Sequence, residues 1–328
     1  MKWGNAMCAK YVSILKTARL GNLGQMARRV AGLQYLSDQD FLPEVDADAA
    51  ARLRDLARHA RGDGPAPIIV LGVMPRSGSN MIRDVLALHP DVAADPGRLY
   101  EFPLLHAADG AGALMEEFIS YFPRNAEVLG RYDALAMLAG AWLRELQREA
   151  GDKRILLKCP HVQHLSLAPH IFPDAKLVLC LRDGRDVVDS SLNTFSRYSL
   201  SRKTFAQLAT EWKLGTDAMM QMSGAPDASN ILLNRFEDMM TEPRATVDQL
   251  LTHTGLDPAR FDYEAYENLP VRGSSRNKTD DENRWQPQEK SKDFKPVDRW
   301  VSWSDKRKAQ FDKIAGAALE RAGYRRHV

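Results

Sequence analysis

Apolar residues follow two different rhythms along this chain. In Ile68-Ile69-Val70-Leu71-Gly72-Val73 they run almost without a break. A short β-branched run of this kind predicts a strand buried on both faces of a parallel sheet. Arg154 to Leu157, Lys176 to Leu181 and Asn230 to Leu233 repeat the pattern. Between these runs the spacing becomes helical, over Met81 to Leu88 and Arg185 to Phe195. Leu135, Leu138, Ala139, Trp142, Leu143 and Leu146 form a stripe of the same period. Phe311, Ile314, Ala315, Ala318 and Leu319 mark a final helix that closes near Gly323. Strands alternating with helices predict βαβ units, hence an α/β fold around a parallel sheet.

The first part of the chain lacks strand-like runs. Residues 1–62 read as a helical extension, with Val12, Leu15, Leu20, Leu23, Met26, Val30 and Leu33 at roughly helical spacing and a second helix from Ala47 to Ala60. Arg61-Gly62-Asp63-Gly64-Pro65-Ala66-Pro67 then breaks regular structure, so residues 63–328 are expected to form the main domain. Residues 270–298 are polar and aperiodic, as a functional loop would be.

Composition narrows the function classes. A net charge of +2 over 328 residues gives no electrostatic footprint for nucleic acid. No run reaches the apolar length of a membrane span, and no h-region follows the basic N-terminal residues. Three widely spaced cysteines, Cys8, Cys159 and Cys180, fit a reducing compartment rather than a disulfide framework. The expectation is a cytoplasmic protein.

Pro75-Arg76-Ser77-Gly78-Ser79-Asn80 lies where a strand ends and a helix begins. Unpaired N–H groups and the helix dipole make such a turn an anion cradle. Gly78 lets the backbone approach, the hydroxyls and Asn80 add donors, and Arg76 adds a fork of charged donors. A nucleotide kinase or other P-loop NTPase requires Gly-x-x-x-x-Gly-Lys. Here Gly72 and Gly78 are one residue too far apart, and Ser79 stands at the lysine position.

A second anion motif is Leu181-Arg182-Asp183-Gly184-Arg185-Asp186-Val187-Val188-Asp189-Ser190. Arg182 follows a strand, where open α/β sheets bind ligands, and Ser190 lies about two turns along the next helix. With both motifs in order, the chain resembles the sulfotransferase superfamily, in its bacterial type. His89-Pro90-Asp91-Val92, Leu157-Lys158-Cys159-Pro160, Phe172-Pro173-Asp174-Ala175, Arg235-Phe236-Glu237-Asp238 and Arg272-Gly273 extend the likeness.

The resemblance implies a three-layer α/β/α fold of the P-loop NTPase-like kind. It implies a donor, 3′-phosphoadenosine 5′-phosphosulfate (PAPS), and a product, adenosine 3′,5′-bisphosphate (PAP), with no metal. Pro75 to Asn80 would hold the 5′-phosphosulfate, and Arg182 with Ser190 the 3′-phosphate. Phe236 would face the adenine, while Arg272, Gly273 and Ser274 would close over the 3′-phosphate, helped by Arg185 and Ser191. The run Lys278 to Lys292, with Trp285, reads as a lid. Lys158 would neutralise the leaving oxygen. Glu101 and His161 are rival bases for the acceptor hydroxyl, with Asp95 and His106 behind them. The acceptor class stays open among glycan, lipid and small molecule. The extension is left as a cover for the acceptor pocket or a homodimer contact, and a nucleotide-binding module without turnover remains the alternative to an enzyme.

Overall fold

In a computed structural model of the chain, residues 23–195, 203–270, 272, 289 and 295–327 are described. The first elements are α1 (Leu23–Val30) and α2 (Ala47–Arg61). The helical expectation for the extension holds only in these two pieces; Val12, Leu15 and Leu20 lie outside the described residues. Gly32, at φ +73°, ends the first piece. Its N–H reaches the Arg29 carbonyl and that of Leu33 reaches Arg28, which closes the last turn and turns the chain away. The second piece starts where Asp46 accepts a hydrogen bond from the Ala49 N–H at 2.8 Å.

Then come β1 (Ile68–Gly72), α3 (Ser79–Leu86), β2 (Val92–Ala94), α4 (Ala108–Tyr121), α5 (Asp133–Ala150), β3 (Arg154–Cys159), α6 (Ala168–Ile171), β4 (Lys176–Leu181), α7 (Gly184–Phe195) and α8 (Phe205–Ser223). The chain continues through β5 (Ile231–Arg235), α9 (Asp238–Thr241), α10 (Pro243–Thr254), α11 (Tyr263–Glu267) and α12 (Asp305–Arg321). Short runs confirm their strand reading: β1 is buried at every position and sits in the middle of a five-stranded sheet of order β2-β3-β1-β4-β5. All pairings are parallel, with Val70 opposite Lys158 on one side and Val178 on the other.

Strand side chains alternate between two cores. Ile69, Leu71, Ile155, Leu157, Leu177 and Leu179 join Leu53 of α2, Leu135 of α5, Trp212 of α8 and Phe311 of α12. Ile68, Val70, Leu156, Val178 and Cys180 join Ile82 and Val85 of α3 and Val247 and Leu250 of α10. The result is a three-layer α/β/α fold. Each large side chain buried this way stabilises it by about 1.5–3 kcal/mol.

α2 is fitted closely to this body. A Cβ on Gly140 of α5 would fall 2.3 Å from the Ala57 carbonyl oxygen. Arg52 also holds Asp133 at 2.7 Å. Because all five strands run the same way, the segments that follow them gather along one edge of the sheet.

Candidate active site

β1 delivers its loop under tight constraint. A Cβ on Gly72 would lie 2.4 Å from Ser77 Oγ, so only glycine lets the loop fold back here. Arg76 takes φ 81° and Gly78 φ 97°, both left-handed. Gly78 caps α3, and Phe236 fills the space its side chain would need, 2.3 Å from an added Cβ. Below, the Cys180 thiol donates to the Ser77 carbonyl at 3.1 Å. The Ser77 hydroxyl is buried without a partner. A bent loop with an unused buried hydroxyl at the start of a helix suits a small anion.

The second motif meets the first. Arg76 Nε donates to Ser190 Oγ at 2.9 Å, and Arg182 Nη1 donates to the Arg76 carbonyl at 2.9 Å. A further Arg182 nitrogen donates to the Pro296 carbonyl. The Arg182 guanidinium lies 4.5 Å from the Phe236 ring centroid. Trp212 Nε1 holds the Arg182 carbonyl at 3.0 Å, and Gly184 makes room for that indole. Arg76, Arg182, Ser190 and Phe236, separated in sequence, are thus one assembly.

A cavity of about 730 Å³ opens onto it. Its wall includes Pro75, Arg76, Gly78, Ser79, Asn80, Arg182, Phe236 and Arg272. Gly273, Ser274 and the stretch read as a lid, apart from Glu289, lie outside the described residues. Glu101 and His161 line the same cavity. Lys158, on β3, is buried and donates to Glu101 Oε1 at 3.0 Å. Its ammonium also lies 4.2 Å from the Tyr100 ring centroid. The segment carrying Glu101 is tied to β3 by the Phe102 N–H on the Lys158 carbonyl, at 2.7 Å.

His161 stacks on His106 with ring centroids 4.7 Å apart. Burial, reinforced by the neighbouring His106, pushes its pKa down to about 3. A neutral imidazole that weakly basic is a poor proton acceptor at ordinary pH. His106 is lowered too, by burial and then by His164. Glu101, beside the lysine, is not buried in this way: its side chain is 43% exposed.

The family model described as "Sulfotransferase family" matches residues 67–260, more than half of the chain. The chain belongs to the sulfotransferase family. Protein-tyrosine sulfotransferase A of Caenorhabditis elegans is 24% identical over 214 residues, 62% of this chain and 55% of the relative. Protein-tyrosine sulfotransferase 1 of Danio rerio is 26% identical, over 56% of this chain and 52% of the relative. Nodulation protein NoeE of Sinorhizobium fredii is 24% identical, over 61% and 53%. The chain therefore spans about half the length of the curated relatives it matches. Among solved structures, the sulfotransferase domain of the Synechococcus PCC 7002 olefin synthase aligns at TM-score 0.49 and 21% identity, over 78% of this chain and 95% of that one. Mouse sulfotransferase SULT7A1, complexed with PAP, aligns at TM-score 0.47 and 12% identity, over 83% and 90%.

The family motifs do not mark every residue that builds the site. Asp186 accepts from the backbone N–H groups of Asp298, Arg299 and Trp300 at 2.8, 2.7 and 3.2 Å. It thereby pins the segment in which Pro296, Val297 and Arg299 wall the cavity. Burial raises its carboxyl to about 6. Arg185, expected near the phosphate, is instead paired with Asp183 at 2.6 Å and stacked 3.6 Å from the Trp300 ring centroid. Ser191 Oγ is buried without a partner. Met239, Met240, Tyr266 and Leu269 supply an apolar end to the cavity that no sequence pattern marked.

Proposed function

We propose that this chain is a PAPS-dependent sulfotransferase that passes a sulfuryl group to an acceptor hydroxyl by in-line displacement. One observation carries the reading. A single cavity is walled at one side by the 75–80 loop and Arg182, and at another by Glu101, with Lys158 behind it. PAPS supplies an activated sulfuryl group on a phosphate leaving group. The donor's residues fit that demand: buried Ser77 Oγ and Arg182 Nε carry no hydrogen bond, and Phe236 offers an apolar face.

The loop N–H groups and Arg76 bind the phosphosulfate end. Arg182 and Ser190, with Arg272, bind the 3′-phosphate. Lys158 is buried between Glu101 and Tyr100, where its ammonium stabilises charge developing at the leaving oxygen. Glu101, its carboxylate about half exposed and facing the cavity, accepts the proton of the acceptor hydroxyl. No metal is needed in this scheme. Two free buried thiols, Cys159 and Cys180, support a reducing, cytoplasmic setting.

The test has two steps. Isothermal titration with PAP and with ATP comes first: preference for PAP is expected, and preference for ATP would return the chain to the kinases. Incubation with labelled PAPS and a panel of hydroxyl acceptors comes second, read by mass spectrometry. PAP binding without transfer to glycan, lipid, peptide or small-molecule hydroxyls would leave a nucleotide-binding module.

A further inference from the structure

Arg83, Asp84 and Asp95, close to the cavity and buried or partly buried, have no task in that scheme. Asp84 lines the cavity and is only 6% exposed. A lone carboxylate there would be costly to bury and would repel an anionic ligand. It is neutralised from two directions. Arg83 Nη1 donates to Oδ1 at 2.6 Å, and Arg272 Nε lies 2.9 Å from Oδ2. Arg83 reaches the other way as well, with Nε on Asp95 Oδ1 at 3.2 Å and Nη2 on Asp95 Oδ2. Two guanidinium groups and two carboxylates therefore alternate in one chain, Arg272–Asp84–Arg83–Asp95.

One end of that chain, Arg272, lines the cavity, and the other, Asp95, lies in the segment that runs to Glu101, which lines it too. Arg272 belongs to the donor wall. The Asp84 carboxylate attracts the Arg272 guanidinium from its Nε side by charge, without a hydrogen bond from that nitrogen, and so draws the group to this part of the wall. Asp95 opens the turn that leads to Glu101. That turn is bent: Asp95, Gly97 and Arg98 have φ of 51°, 62° and 58°. Left-handed backbone at non-glycine residues persists only where surroundings hold it. Arg83 provides such a hold. Tyr100, just before Glu101, has its hydroxyl pKa raised by burial and then by the nearby Asp84 charge.

We propose that Arg83 and Asp84 form an ion-pair bridge joining the walls: Asp84 is the positioning residue for Arg272, and Arg83 with Asp95 positions the turn that carries Glu101. A bisphosphate nucleotide seated on Arg272 then tightens the Glu101 turn through the bridge. The inference rests on the donor reading above, yet its test needs no acceptor.

PAP is titrated calorimetrically into the full chain and its variants. Asp84→Asn should weaken binding about fivefold, and Arg272→Ala at least as much. If Asp84 acts through Arg272, the double variant binds within about twofold of Arg272→Ala alone. Additive losses overturn the positioning role. Arg272→Lys keeps the charge without the planar fork, and it checks the same point should Asp84→Asn fail to fold. It should bind as weakly as Asp84→Asn, and wild-type affinity in it overturns the role. Hydrogen exchange reads the other half. PAP should slow exchange across residues 95–103 in the wild type. Asp95→Asn should abolish that slowing while keeping PAP affinity within about twofold. Slowing that survives Asp95→Asn overturns the bridge. A wild type that binds no PAP overturns the donor reading itself, and the bridge falls with it.

Discussion

The two walls of the cavity are built on opposite principles. On the donor wall Arg182 is held by the carbonyls of Arg76 and Pro296, and Arg76 by the hydroxyl of Ser190, neutral oxygens all, while Arg272 meets the Asp84 carboxylate. The carbonyls orient Arg182 without cancelling its charge. On the acceptor wall the titratable groups either neutralise one another, as Lys158 and Glu101 do, or are desolvated into neutrality, as His161 is. Under the proposed function, the difference lets one site take a multiply charged nucleotide beside a neutral hydroxyl. Fixed charge is spent on one wall, and charge is withheld from the other until a reaction demands it.

The strongest way to break this contrast is to remove a fixed cation. Arg182→Ala should lower PAP affinity about 100-fold, because charge-assisted hydrogen bonds and a ring contact go together. A loss below about threefold in titration would place the donor's phosphate elsewhere. Next comes the compensated pair. Glu101→Gln and Lys158→Ala should each cut kcat at least about tenfold with PAP affinity largely kept. A change confined to affinity would move both residues onto the donor wall.

The loop's backbone gives a smaller effect. Gly78→Ala meets Phe236 and an unfavourable φ together, and should cost about 1–3 kcal/mol of stability, read as a lower midpoint of thermal unfolding. The smallest effect is expected from pH at His161. With its folded pKa about 3, below the unfolded value, its imidazole takes up a proton in the unfolded chain first. Its contribution to stability is therefore complete above about pH 6.5 and declines as pH falls from there toward 3. NMR should show no His161 titration between pH 5 and 8. A titration in that window would restore it as a base.

These walls were not equally legible in the sequence. The buried runs at Ile68 and Lys176, the Gly78 turn and the Arg182–Ser190 spacing are local patterns, and local patterns survive folding. α3 begins at Ser79 rather than at Met81 because Gly78 itself supplies the cap. β2 escaped notice because three residues, Val92 to Ala94, owe their strand geometry to β3 rather than to their own preference. α8 also went unread, although Thr204 and Gln207 form a capping box at its start. Its face is broken by buried Glu211, which is held there by Lys203. The ion pairs of Asp84 with Arg272 and of Lys158 with Glu101 join residues far apart in the chain. No spacing rule reaches them.

Cys180 carries one more lesson. Its thiol lies under the phosphate loop, fully enclosed, with its pKa pushed up to about 12 by burial, and Cys159 matches it at the end of the adjoining strand pair. Neither sulfur is a nucleophile at neutral pH, because the thiolate is the reactive form. An alkylating reagent can reach them only when the middle of the sheet comes apart. The fold thus contains its own clock: the rate at which these two thiols are consumed counts the openings of the sheet that carries the loop, and a ligand that holds the loop closed slows it.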